Sequence, residues 1–231
     1  MGCSNSREDI TAEEAAVRNS ESILEYTGVQ CTFLDMIHRK YSFEGKIHQD
    51  QWKDICSQLN LAPSKSYTKQ QVLNFFDNFK IGPSEYSLKK LLVLGIQLSS
   101  GSSYEKAKLL FEVQDEKGIG NLTKNQVEDL VNMMIDIPIE INPKILNKCE
   151  VNDVNERDLR NYIVKLRKGK EKASENIVNG IMDEGQTVSC EEFIRKLTFG
   201  NRPLMLTAHG VRSYIKTCLP HEASKPVKVE T

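Results

Sequence analysis

Long apolar runs are missing from this sequence. The longest, Leu91-Leu92-Val93-Leu94-Gly95-Ile96-Gln97-Leu98, falls far short of the roughly 18 residues that a helix needs to cross a bilayer. Any membrane contact is therefore expected to be peripheral. An excess of one charge is missing too: 31 Lys and Arg against 32 Asp and Glu leave a net charge of −1, which gives no global attraction to nucleic acid. With 7 Pro and 13 Gly in 231 residues there is little material for long flexible linkers. The cysteines Cys3, Cys31, Cys56, Cys149, Cys190 and Cys218 form no CxxC pair, and no secretory apolar segment precedes them, so reduced thiols in a cytosolic compartment are expected. His38, His48, His209 and His221 make neither HxxxH nor HExxH, which argues against a zinc site. No GxSxG, GxGxxG or phosphate-cradling GxxxxGKS motif occurs, and no cysteine stands in a nucleophilic arrangement with a histidine. An enzyme is not indicated.

What is present begins at the first residues. Met1-Gly2-Cys3-Ser4-Asn5-Ser6 fits the pattern in which Gly2 is myristoylated after removal of the initiator Met, with Ser6 as the small hydroxylated residue that the pattern asks for. One myristoyl chain holds a protein to a bilayer only marginally, so stable attachment requires a second signal. Arg7-Glu8-Asp9 is not basic, which makes a thioester-linked chain on Cys3 the expected second anchor. A cytoplasmic protein held peripherally on a membrane follows.

With 39% hydrophobic and 27% charged residues, the chain is globular in composition and can bury one large core or two small lobes. Helical periodicity dominates, and there is no long alternating run to argue for a sheet. Thr11-Ala12-Glu13-Glu14 reads as a capping box, with the Thr11 hydroxyl and the Glu14 carboxylate serving amide donors at the start of a helix to about Tyr26. Further on, Phe33, Leu34 and Ile37, then Trp52, Ile55 and Leu59, then Val72, Leu73, Phe76 and Phe79 recur at helical spacing. Leu88, Leu91 and Leu92, then Leu109, Leu110 and Val113, then Val127, Leu130, Met133 and Met134 continue the pattern. Short loops separate these helices, each with a central apolar residue: Ile47, Tyr86, Leu122 and Val188. The steps between them are 39, 36 and 66 residues, and two near-equal steps suggest a repeated unit. The long third step accommodates an insertion at about 150–172.

These residues resemble the EF-hand superfamily, and within it the acylated four-hand group that includes calcineurin B-like and neuronal calcium sensor-like proteins. The resemblance is carried chiefly by Glu105 to Asp115, continuing through Gly120, Leu122 and Leu130, which looks like a third hand. Val188-Ser189-Cys190-Glu191-Glu192-Phe193-Ile194 looks like part of a fourth. It implies an all-α fold of two lobes, each a pair of helix-loop-helix units joined by a short two-stranded ribbon, with Ile47 beside Tyr86 and Leu122 beside Val188. The expected organisation is an acylated segment (1–10), an N-terminal helix (11–27), a first lobe (28–100), a second lobe (101–200) and a C-terminal helix and tail (201–231).

The resemblance breaks down at the metal ligands. A calcium loop needs oxygen ligands at its first, third and fifth positions, glycine at the sixth and a bidentate glutamate at the twelfth. In the implied register the first loop opens on Lys40 and closes on Gln51; the second opens on Phe79 and closes on Lys90. The third keeps Asp115 and Gly120 but has Lys117, Ile119 and Gln126 at ligand positions. The fourth keeps Glu192 but counts back to Ile181 unless Asp183 takes the opening role. No tight calcium site, and no other cofactor, is expected; Asp115, Asp183 and Glu192 are the residual metal candidates.

One strong charge bias remains. Arg157, Arg160, Lys165, Arg167, Lys168, Lys170 and Lys172 face only Asp158 and Glu171 over residues 157–172, a local balance of +5. This stretch is a solvated helix face or a patch for anionic lipid or an acidic partner. Met133, Met134, Ile135, Met182 and Met205 read singly as core, and collectively as part of a groove for an amphipathic partner helix. Leu204 to Leu219 is apolar enough to form a helix that fills such a groove in the free protein, ended by Pro220. The leading expectation is a membrane-anchored, non-enzymatic adaptor or regulatory subunit that holds a partner's amphipathic helix without calcium. A calcium sensor with one or two irregular loops, regulating a membrane-bound partner, is the alternative, and a membrane-bound enzyme with an unrecognised site is the third.

Overall fold

A computed structural model describes residues 10–61, 66–148, 154–183 and 185–220. Gly2 and Cys3, the expected acylation sites, lie outside the described residues, as do Cys149 and His221.

Helix, strand, helix recurs four times. The first unit is α2 (Cys31–Lys40), β1 (Lys46–His48) and α3 (Gln49–Gln58); the second is α4 (Ser66–Phe76), β2 (Glu85–Ser87) and α5 (Leu88–Leu98). The third is α6 (Ser103–Gln114), β3 (Asn121–Thr123) and α7 (Lys124–Asp136); the fourth is α8 (Glu156–Met182), β4 (Thr187–Ser189) and α9 (Cys190–Leu197). Before them stands α1 (Ala12–Ser22) and after them α10 (Ala208–Thr217).

The strands pair within two antiparallel ribbons, β1 with β2 and β3 with β4. Ile47 lies opposite Tyr86 and Leu122 opposite Val188, the same residues that the loop spacing singles out. Each of these side chains is buried, so the ribbons gain from packing what three residues of pairing alone could not provide. Beyond the strands the two ribbons share a further bond: the N–H of Leu88 donates to the Gly45 carbonyl at 3.1 Å, and that of Cys190 to the Gly120 carbonyl at 3.3 Å. In three units a hydroxyl residue follows the central apolar one and caps the next helix. Ser87, Thr123 and Ser189 accept from the N–H groups of Lys90, Gln126 and Glu192 at 3.4, 3.4 and 3.3 Å.

Three elements depart from the sequence expectation. The N-terminal helix stops at Ser22 rather than near Tyr26. Hydroxyls of Ser20 and Ser22 bond back to carbonyls three residues earlier, and Glu25 turns left-handed at φ 59°, which swings Leu24 and Tyr26 into the core. The basic stretch is not a separate inserted helix: it is the first half of α8, a single helix of 27 residues that ends at Met182, shortly before the fourth strand. Between α7 and α8 the chain makes a π-helical turn (Ile137–Ile141) and a 3₁₀ segment (Asn142–Lys148).

The buried apolar residues of both halves form one continuous cluster. In the first half Trp52 packs against Phe76 and Tyr86 with ring centroids 4.6 and 5.6 Å apart, and in the second Phe111 meets Phe193 edge-on at 5.6 Å. Gln97, buried in α5, donates to the carbonyls of Met134 and Met205 at 2.9 and 3.2 Å and so ties the halves together. Met134, Met182 and Met205 are core residues. Helix α10 lies across α7, α8 and the π-helical turn, with Ala208, Val211 and Ile215 buried. It comes close to α8 at Gly169, where an added Cβ would stand 2.7 Å from the Ile215 carbonyl oxygen.

Candidate functional site

Four turns occupy the places where a bound ion would sit if the resemblance extended to chemistry, and the third and fourth are bridged by the chain's own side chains. In the first turn Glu44 and Gly45 adopt φ 49° and 74°, and the Gln51 side-chain oxygen Oε1 accepts from the His48 N–H at 2.7 Å, capping the start of α3. Phe79, at the head of the second turn, is in the core. In the third, the two carboxylate oxygens of Asp115 accept from the N–H groups of Ile119 and Gly120 at 2.8 and 2.7 Å. Gln126 accepts from Thr123 N–H at 2.9 Å and donates to the Gln114 carbonyl at 3.5 Å, bridging the two ends of the turn with a neutral amide.

The fourth turn is closed by an ammonium group. Lys196 Nζ lies 2.6 Å from Asp183 Oδ2, 2.9 Å from the Ile181 carbonyl oxygen and 3.4 Å from Glu192 Oε1. Arg195 adds a two-pronged contact to Glu192 at 3.0 and 2.6 Å, and hydrogen bonding to that guanidinium is the main reason the Glu192 carboxyl is held down at about 2. Both residual carboxylates of this turn are thus bound to cations carried on α9. Lys196 was not marked by the sequence reading. Its four-residue separation from Glu192 looks like any exposed helix pair, and only the fold reveals that Nζ also reaches the Ile181 carbonyl near the end of α8. Among the described residues, no three His, Cys, Asp or Glu side chains gather as a metal group.

A second feature missed by sequence reasoning is a buried ion cluster joining the two ends of the described chain. Arg212 of α10 is 0% exposed and Glu14 of α1 is 1% exposed. Arg212 Nε and Nη2 donate to Glu14 at 3.0 Å, while Nη1 and Nη2 donate to Glu21 at 2.7 and 3.0 Å and Nη1 reaches the Pro138 carbonyl at 3.2 Å. The Tyr162 hydroxyl donates to Glu14 as well, His209 Nδ1 lies 2.7 Å from it, and Asn142 donates to Glu21 at 2.6 Å. Burial alone would raise the Glu14 pKa; the charge and hydrogen bonds of Arg212, helped by Tyr162 and His209, overcome that and hold it below the ordinary value. Thr11 caps α1 as expected, accepting from Glu14 N–H at 3.3 Å, but the Glu14 carboxylate turns inward to Arg212 and takes no part in the cap.

The basic half of α8 divides into two faces. Arg160 pairs with Glu156 at 2.6 Å, Arg167 with Glu140 at 2.7 Å, and Lys170 with Asp136. Arg157, Lys165, Lys168 and Lys172 are exposed and have no ion-pair partner among the described residues. Lys165 and Lys168 line a cleft of 740 Å³ with Lys216 of α10.

An apolar cleft of 560 Å³ opens between α3 and α4, lined by Trp52, Leu61, Val72, Phe76 and Tyr86 and edged by Lys53 and Lys80. The buried Trp52 Nε1 has no hydrogen-bond partner among the described residues. Cys56 also lines this cleft, and burial pushes its thiol up to about 12, so it is a poor nucleophile. No helix among the described residues is long and apolar enough to cross a membrane. No known protein family matches this sequence, and no curated protein is similar to it.

Proposed function

We propose that the protein is a membrane-anchored, non-enzymatic adaptor of the EF-hand type that holds an amphipathic helix of a partner without calcium. The observation that carries this reading is the contrast within the four repeated units. Their strands pair in matching register, with Ile47 against Tyr86 and Leu122 against Val188, whereas Gln51 caps its own helix, Gln126 with Asp115 closes the third turn and Lys196 the fourth. A turn already satisfied from within has little to gain from a cation.

Support for the partner comes from the asymmetry of the two halves. The apolar side of the second half is covered by α10, fastened through Arg212, and so is unavailable to a guest helix. The first half keeps the cleft between α3 and α4, with aromatic walls, lysines at its rim and an unsatisfied indole N–H. An amphipathic helix suits that combination through its apolar stripe, since the rim lysines already pair with Asp50 and Asp77. The anchor is read from Gly2 and Cys3 alone.

Fractionation of cells expressing the full chain tests the reading. The protein stays with membranes whether calcium or a chelator is present, and Gly2→Ala or Cys3→Ala moves it to the soluble fraction. Release by chelator would favour the alternative, a calcium sensor with an irregular loop.

A further inference from the structure

We propose that the cleft between α8 and the end of α10 binds the phosphate of anionic lipid headgroups, with Lys165, Lys168 and Lys216 as its cations; this rests on the protein being peripheral at a membrane. The site is convergent. Lys165 and Lys168 are three residues apart on the free face of α8, and Lys216 arrives from a separate helix. Lys216 is held in place: its ammonium lies 5.2 Å from the centre of the Tyr162 ring and 3.9 Å from Glu14 Oε2. Among the described residues no carboxylate lines this cleft. Asp158 and Glu13 lie along the adjoining 370 Å³ cleft, which confines the attraction for an anion to the side of Lys168.

Two further features favour a bilayer over a soluble acidic partner. Apolar groups stand among the lysines: Val164 is 49% exposed, and Leu219 and Pro220 complete the wall. That mixture matches the boundary between headgroups and acyl chains, where apolar side chains enter the interface while lysines meet phosphate. The second feature is position. Thr11, which begins α1, lines the adjoining cleft together with Lys165 and Lys216, so the segment that carries Gly2 and Cys3 joins the fold beside these lysines. Anchor and headgroup site would then engage one surface together, each raising the effective concentration of the other.

The test uses the full chain made without acylation, so that it reads the cleft and not the anchor. Sedimentation with phosphatidylcholine vesicles, alone or containing a phosphoinositide, should show binding only to the anionic vesicles, weakening with salt. Lys165→Ala with Lys168→Ala should lower that binding roughly 25-fold, at about fivefold for each lysine near an anionic surface. Adding Lys216→Ala should lower it further, with the melting temperature recorded because Lys216 also contacts Tyr162 and Glu14. A control that removes the same charge elsewhere, Lys40→Ala with Lys117→Ala, should stay within about twofold, because neither residue lies at the cleft. Equal binding to neutral vesicles, an equal loss in the control, or binding of a soluble inositol phosphate or an acidic peptide without binding of vesicles would overturn the proposal. Any of these results alongside Gly2-dependent membrane retention in cells would leave the acyl anchor standing and remove only the headgroup site.

Discussion

Arg212 holds two carboxylates in a place that water does not reach, and such a group is worth most when it is taken away. Arg212→Met leaves Glu14 and Glu21 buried without their guanidinium, Glu14 keeping Tyr162, His209 and Lys216 and Glu21 keeping Asn142, so the full chain should lose on the order of 3 kcal/mol in denaturant unfolding. A loss under about 1 kcal/mol would mean that the carboxylates find water once the guanidinium is gone. His38 makes a different prediction. It is buried with Nδ1 2.9 Å from the Leu34 carbonyl, and burial lowers its pKa to about 4 despite that bond. A depressed pKa means the unfolded chain takes up a proton that the folded chain refuses. Stability is therefore complete above the ordinary histidine value near 6.5 and declines as pH falls towards 4, by about 3 kcal/mol in all. His38→Gln should flatten that slope in unfolding curves measured across the range; an unchanged slope would show that other groups produce it. Glu14, also depressed, acts at lower pH, losing its contribution as pH falls below the ordinary carboxylate range.

At the level of elements, the fourth turn is a joint between α8 and α9 fastened by Lys196. With Lys196→Met, Asp183 and Glu192 lose their ammonium and the Ile181 carbonyl loses its donor, which should cost about 1–2 kcal/mol. Part of that loss should return when millimolar calcium is added, whereas the unaltered chain should gain nothing. Thermal unfolding with and without calcium checks both, and a calcium-dependent rise in the unaltered chain would contradict the role given to Lys196. The contact of α10 with α8 depends on a missing side chain. Gly169 lies inside a long helix, where glycine costs roughly 1 kcal/mol relative to alanine, and its backbone lies against that of Ile215. Gly169→Val should push the helices apart and loosen α10, read as faster amide exchange at Val211 and Ile215 with the ribbons unaffected. Exchange unchanged at those positions would show that α10 is held by Arg212 alone.

Across the whole molecule, local signals were legible and distant ones were not. Ile47, Tyr86, Leu122 and Val188 could be found because each is an apolar residue with a polar neighbour on either side just before a helix, and spacing then paired them. The poor ligand set of the turns could be read by counting, since a lysine at the first position or a glutamine at the last is visible in the chain itself. Glu14 and Arg212 could not be paired: they are 198 residues apart, and at its position Glu14 reads as an ordinary capping carboxylate. Lys216 was missed because the basic run on α8 drew attention to one helix, while the cleft is made by two. What the fold adds to the sequence is thus the set of side chains that bridge the third and fourth turns and fasten α1 to α10. Calorimetric titration of the full chain with calcium, followed in parallel by Trp52 fluorescence, tests that account most directly. It predicts no binding heat and no change in emission at micromolar calcium; a saturable heat with a shift of the indole signal in that range would contradict it.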